Sequence, residues 1–317
     1  MSDRSDRIRP VDTMRGLLLA LMVFGNYLWP LRVTPAWLKH ARPLQGLNLI
    51  DLGFPCFVFL FGLLAPLSYS RRLHDNGRLR TGLHFARRYG LLILFGLLGN
   101  LILRQNPLHN WGVLQALGLA GFVSAPFLSF RPALRAAAGL ILIGLYAAAL
   151  RAGYGDWLLA NERMDLGGII GALPWAGLIL VASFLAPWLA DLRTLARRGL
   201  ALGIATILAG VMLSFVFPVT KPLVTPSYAL LCAGIAGVIL ALFILLDLTV
   251  KRDLVPLLVL GTNSLVVFML SAMLTTGSQL LYEPRSFAAA LGVAAAVGLV
   301  CYWVSLRLYR GNILIKL

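Results

Sequence analysis

Apolar runs long enough to cross a bilayer recur along the whole chain, and they leave its backbone few choices. A span takes ~20 mostly apolar residues, and inside hydrocarbon it must satisfy its own N–H and C=O groups. Ten stretches qualify, at 13–31, 48–70, 84–103, 112–129, 133–150, 167–189, 199–217, 226–247, 254–273 and 286–306. They have the length of helices, not of barrel strands. The composition agrees, with 59% of residues hydrophobic and 13% charged, about half the charged share of a soluble domain. The expected fold is all-α, a polytopic membrane helix bundle of about ten transmembrane helices, with residues 1–317 as a single membrane domain. The first run follows Arg4, Arg7 and Arg9 and imitates a secretion signal. It continues past the usual core length with no small-residue cleavage site, so it reads as a retained helix.

A net charge of +16 raises the question of nucleic acid, and its distribution answers it. With the N-terminus inside, 20 of the 28 lysines and arginines fall in the inner segments. That asymmetry is how membrane topology is set. Both termini are then expected in the cytoplasm, no nucleic acid is expected as a partner, and the connector after the first helix faces outward. Cys56, Cys232 and Cys301 lie in apolar runs, and His40, His74, His84 and His109 are scattered singly. Neither pattern has metal-ligand or disulfide spacing, so no metal is expected.

The first apolar hairpin, roughly residues 11–69, carries polar residues that a plain anchor does not need: Asp12, Arg15, Asn26, His40, Asn48 and Asp51. Polar groups at membrane depth cost several kcal/mol unless paired, which marks them as functional candidates. Asp12 and Arg15 share a helix face, either as a capping acid beside a topology signal or as an ion pair bracing an inner opening. Asn26 is either an interhelical hydrogen bonder or an amide donor to a carbonyl. Asp51 follows His40 by eleven residues, and a carboxylate within reach of a histidine fixes its tautomer and raises its basicity. Arg71, Arg72, Arg78, Arg80, Arg87 and Arg88 form a dense inner cluster, for topology and lipid phosphates or for a phosphorylated cytosolic ligand. Trp37, Trp111 and Tyr228 belong to an outer set of aromatics that is either an interface belt or a stacking surface for a sugar-like ligand.

The stretch V-D-T-M-R-G-L-L-L-A-L-M-V-F-G-N-Y, then K-H-A, then D-L-G-F-P-C-F-V-F-L-F-G resembles the catalytic domain of the heparan-alpha-glucosaminide N-acetyltransferase family and its bacterial relatives. G-V-L-Q at 112–115, G-G-I-I-G-A-L-P at 167–174, K-P-L-V-T-P-S-Y at 221–228 and L-G-T-N-S-L-V-V-F-M-L-S at 260–271 extend the likeness in the same order. The resemblance implies a transmembrane acyltransferase that takes acetyl from cytosolic acetyl-CoA and delivers it to an extracytoplasmic sugar or glycan. It implies His40, Asn26 and Asp51 as catalytic residues. Arg15, Arg71, Arg72, Arg87 and Arg88 are then expected around the acetyl-CoA phosphates, and Trp37, Trp111 and Tyr228 around the acceptor. The chain departs from the family pattern in H-A-R-P-L-Q-G after the histidine and in the residues flanking G-V-L-Q, so the acceptor stays open. The expected setting is a bacterial plasma membrane, with lipids as partners and a homodimer as one option. A secondary transporter and a non-enzymatic membrane assembly protein are the alternatives.

Overall fold

The computed structural model describes residues 8–102, 111–161, 165–250 and 254–315, and its regular structure there is helical throughout. His109 and the basic residues Arg4, Arg7, Arg104, Arg163, Lys251, Arg252 and Lys316 lie outside the described residues. Among the described residues six helical segments are long and apolar enough to cross a membrane: Leu49–Leu101, Pro132–Ala160, Leu192–Ser214, Pro226–Val250, Ser264–Leu281 and Phe287–Arg310. Two shorter apolar helical segments, Val113–Phe127 and Ala172–Trp188, accompany them. A membrane helix protein is therefore what the apolar runs build. The chain gathers into two compact units.

The first unit holds residues 8–41, 48–57 and 239–315. Its helix α1 (Arg9–Leu28) opens on Pro10, which is tolerated because the first-turn N–H has no helical partner anyway. α1 packs backbone to backbone on the short α9 (Val255–Thr262): a Cβ at Gly16 would collide with the Leu257 carbonyl, and one at Gly261 with the Asp12 carbonyl. Small residues at a crossing permit that approach. Leu19 and Val23 of α1 form a core with Val267 of α10 (Ser264–Leu281) and with Val297 and Cys301 of α11 (Phe287–Arg310). Between α9 and α10 the helix breaks at Asn263, whose side chain donates to the Ile313 carbonyl at 3.1 Å and accepts from the Ile315 N–H at 3.0 Å. The segment after α11 is thereby tied back to the break.

The second unit holds residues 42–47 and 58–238. Most of α2 (Gly53–Ile102) lies in it, and this helix reverses at Gly77, where φ is 73°, a conformation glycine adopts without a Cβ penalty. Tyr69 meets Phe85 and Phe61 meets Tyr89, so the two arms run antiparallel. The arms pack with α3 (Val113–Ser124), α4 (Pro132–Ala149) and α6 (Ala172–Ala182). Ala65, Leu128 and Leu180 form one core, and Gly139 and Gly177 bring α4 and α6 into backbone contact. Beyond the short α5 (Gly155–Ala160) and α6, α7 (Leu192–Ser214) meets α8 (Pro226–Val250) through Gly203 and Gly234. Arg135, only 6% exposed, staples this unit. Its guanidinium donates to the Ser183 hydroxyl and carbonyl at 3.0 and 2.9 Å and to the Leu128 and Phe130 carbonyls at 3.3 and 3.1 Å.

Candidate active site

The connector after α1 is built from turns that close on themselves. The Thr34 hydroxyl donates to the Leu28 carbonyl at 2.6 Å, beside the Leu31 N–H at 3.1 Å, so this acceptor at the helix end is doubly used. Pro35 precedes a single tight turn, Ala36–Leu38. The Asn48 amide reaches back to the Lys39 carbonyl at 2.8 Å and the Ala36 carbonyl at 3.3 Å. A second tight turn, Leu49–Leu52, leads into α2.

Asp51 sits in that turn with 1% exposure. One of its oxygens accepts from the Asn48 N–H at 3.0 Å and the Ala41 N–H at 3.1 Å. The other meets His40 Nδ1 at 2.6 Å. An ionised carboxylate only accepts hydrogen bonds, so the proton of this contact belongs to Nδ1 and the basic lone pair of the imidazole is on Nε2. The aspartate does two jobs at once: it caps the turn, in the Asn48-x-x-Asp51 spacing of a capping box, and it orients the histidine. The His40 side chain keeps 26% exposure.

Trp29, at the end of α1, places its ring 5.2 Å from the His40 ring, tilted by 53°. Asn26 lies three residues earlier, on the same helix face, and is half-buried. The three residues expected to be catalytic therefore occur at one end of the first unit, and His40 and Asp51 are in direct contact. Trp37 is in the same connector and 63% exposed. The sequence marks Asn48 as a polar candidate without a role and does not single out Trp29. The available signals were the Asn48-x-x-Asp51 spacing of a capping box and, for Trp29, only an aromatic at the end of an apolar run.

The remaining expected residues belong to other stretches of the chain. Arg15 pairs with Asp12 at 2.9 Å, about 16 Å along α1 from Asn26 at 1.5 Å per residue. Arg71, Arg72, Arg87 and Arg88 flank the Gly77 bend in the second unit, where the Arg88 guanidinium lies 5.3 Å from the Phe61 ring centroid. Trp111 is buried at 8% exposure, and its indole N–H has no partner among the described residues. Tyr228 is buried edge-on to Trp175. Around it the two later motifs meet. Trp175 Nε1 donates to the Leu166 carbonyl at 3.0 Å, Tyr146 to the Leu223 carbonyl at 2.6 Å, and the Gly167 N–H to the Pro222 carbonyl at 2.8 Å. Leu166 and Val224 have φ of 58° and 47°, a strained conformation for such side chains, found where surrounding packing over-determines it. Among the described residues no three His, Cys, Asp or Glu side chains gather as metal ligands.

Apolar helices of membrane length and a histidine held by a buried aspartate define a helical membrane protein with an oriented imidazole in its first unit. The family model described as "Heparan-alpha-glucosaminide N-acetyltransferase, catalytic" matches residues 7–209, and the chain belongs to that family of transmembrane acetyltransferases. The resemblance drawn from the first hairpin is borne out. The human heparan-alpha-glucosaminide N-acetyltransferase is 39% identical over 134 residues, which cover 38% of this chain and 18% of that protein. The mouse protein of the same name is 38% identical over 136 residues, covering 38% of this chain and 19% of its own length. The match thus spans under a fifth of these relatives.

Proposed function

We propose that this protein transfers an acetyl group from acetyl-CoA on the cytosolic side to an extracytoplasmic acceptor, an amino sugar or other glycan. In this reading residues 1–317 form one membrane domain of about ten spans with both termini cytoplasmic, set in a bacterial plasma membrane. The observation that supports it best is the 2.6 Å contact between His40 Nδ1 and Asp51, with the aspartate anchored by the Ala41 and Asn48 N–H groups.

The acceptor amine or hydroxyl attacks the thioester carbonyl carbon while His40 Nε2 takes its proton. Asp51 holds the ring in the tautomer this needs and stabilises the imidazolium as it forms. The Asn26 amide donates to the developing oxyanion. The C–S bond then breaks, the imidazolium returns the proton to the leaving thiolate, and CoA and the acetylated acceptor remain. Arg15, Arg71, Arg72, Arg87 and Arg88 are the proposed contacts for the CoA phosphates, and Trp37, Trp111 and Tyr228 for the acceptor.

The test is release of free thiol from acetyl-CoA by the purified protein when amino sugars are supplied. His40→Ala should abolish it, a loss on the order of 10²–10⁴-fold, and leave the fold intact because the side chain is partly exposed. Near-normal transfer by that variant would sink the assignment. Label from acetyl-CoA retained on wild type without acceptor, and absent from His40→Ala, would mean that His40 itself carries the acetyl group.

A further inference from the structure

The bend of the α2 hairpin carries polar groups that its own packing leaves unused. Thr81, His84, Phe85 and Arg88 share one face of the second arm by their helical spacing. Phe85 of that face meets Tyr69 of the first arm at 5.7 Å, and Arg72 follows Tyr69 by three residues toward the bend. Arg72, Arg87 and Arg88 all lie within electrostatic reach of His84. Thr81 is 1% exposed. Its hydroxyl and the Nε2 of His84 are buried atoms without a hydrogen-bond partner among the described residues.

Buried polar atoms are almost always partnered, and each exception asks for a reason. The charge inventory supplies one. Between Arg71 and Arg88 the sequence has six arginines and a single carboxylate, Asp75, which is exposed and lies 3.2 Å from His74. A hydroxyl, an imidazole nitrogen and neighbouring guanidinium groups together suit an anion with several oxygens in different directions. A phosphoryl group has that form, and charge-assisted bonds to it are the strong ones. Two planar carboxylate oxygens would reach fewer of these donors.

We propose that this end of the hairpin is a phosphoryl-binding site, with Thr81 Oγ1 and His84 Nε2 as its floor and Arg72, Arg87 and Arg88 as its rim. The phosphoryl group belongs either to the acyl-CoA donor, which rests on the function proposed above, or to an anionic phospholipid. Thr81 and His84 are new to the site in both cases.

The test uses the full chain in detergent and reads thermal unfolding. The probes are adenosine 3′,5′-bisphosphate and dihexanoyl phosphatidic acid, with sodium chloride at matched ionic strength as the control. A ligand that binds only the folded state raises the midpoint by mass action. At least one probe should stabilise wild type beyond the chloride control. Thr81→Val should unfold no earlier than wild type without probe, because it removes an orphaned hydroxyl. It should also bind the probe about tenfold more weakly, the equivalent of one charged hydrogen bond. His84→Leu should weaken probe binding in the same sense. A shift with the nucleotide alone identifies the donor phosphate as occupant, and one with phosphatidic acid alone identifies the lipid; either supports the site. The proposal is overturned if both variants keep the full wild-type shift, if chloride reproduces it, or if Thr81→Val is destabilised without probe. Failure of wild type to transfer acetyl would remove the donor function and leave a measured probe shift standing.

Discussion

Replacing Asp51 by asparagine should invert the tautomer of His40 while leaving its surroundings in place. One oxygen of Asp51 accepts from two backbone N–H groups, of Ala41 and Asn48. An asparagine there must present its carbonyl oxygen to both, since an amide NH₂ would face two donors. Its NH₂ is then left at the position 2.6 Å from His40 Nδ1, where it donates. Nδ1 must accept, the ring proton moves to Nε2, and the lone pair leaves the reacting nitrogen. Transfer should fall on the order of 10²–10⁴-fold. Stability should fall by only about 1 kcal/mol, the difference between a charged and a neutral hydrogen bond. Asp51→Ala is the contrast. It strands the Ala41 and Asn48 N–H groups, which are only part-buried, so each costs less than the roughly 1–3 kcal/mol of a fully buried donor. Stability should still fall further than in Asp51→Asn, and activity is lost as well. Denaturant unfolding alongside the acetyl-transfer assay separates the two variants. Asp51→Asn with wild-type turnover, or as unstable as Asp51→Ala, would refute the reasoning.

Single cysteines introduced at Lys39 and at Arg310 should label from opposite sides of the membrane, as the bias of basic residues requires; labelling from one side would overturn the orientation. Arg135→Met should lower unfolding stability by about 3 kcal/mol or more, because four bonds from a buried guanidinium are lost and acceptors at helix ends are stranded. Arg135→Lys should recover little of this, having no planar fork. Asp191 caps α7 through the Thr194 side chain and the Arg193 and Thr194 N–H groups, and Thr194 holds its carboxyl below the usual carboxylate range. A depressed folded-state value means that the cap stabilises fully above the ordinary carboxylate range and is lost as pH falls through the folded value. Wild type should therefore lose its stability advantage over Asp191→Ala on acidification, read as converging unfolding midpoints; a constant gap would refute the cap's titration.

Much of the candidate site was legible because its chemistry is local in sequence. Asn26, His40 and Asp51 are polar residues in or beside apolar runs, and polarity against an apolar background is a one-dimensional signal. Asn48 was legible too, through its spacing to Asp51, although spacing alone did not reveal that its amide would tie down the Lys39 and Ala36 carbonyls. Thr81 and His84 gave no signal. Their meaning comes from lacking partners once packed, a property that exists only in the folded hairpin.

By itself the sequence determined that this is a helical membrane protein with a biased charge distribution, because solvent preference is summed residue by residue and needs no knowledge of neighbours. It also determined the family, through motifs that keep their order along the chain. The tertiary structure alone decided that Gly77 reverses α2, that Gly16 and Gly261 bring two backbones together, and that Arg135 binds carbonyls from distant segments. It alone decided which oxygen of Asp51 faces the backbone and which faces His40. A hydrogen bond depends on the direction of a lone pair to within a few tens of degrees. Direction is set only when the connector closes on itself and fixes both partners at once.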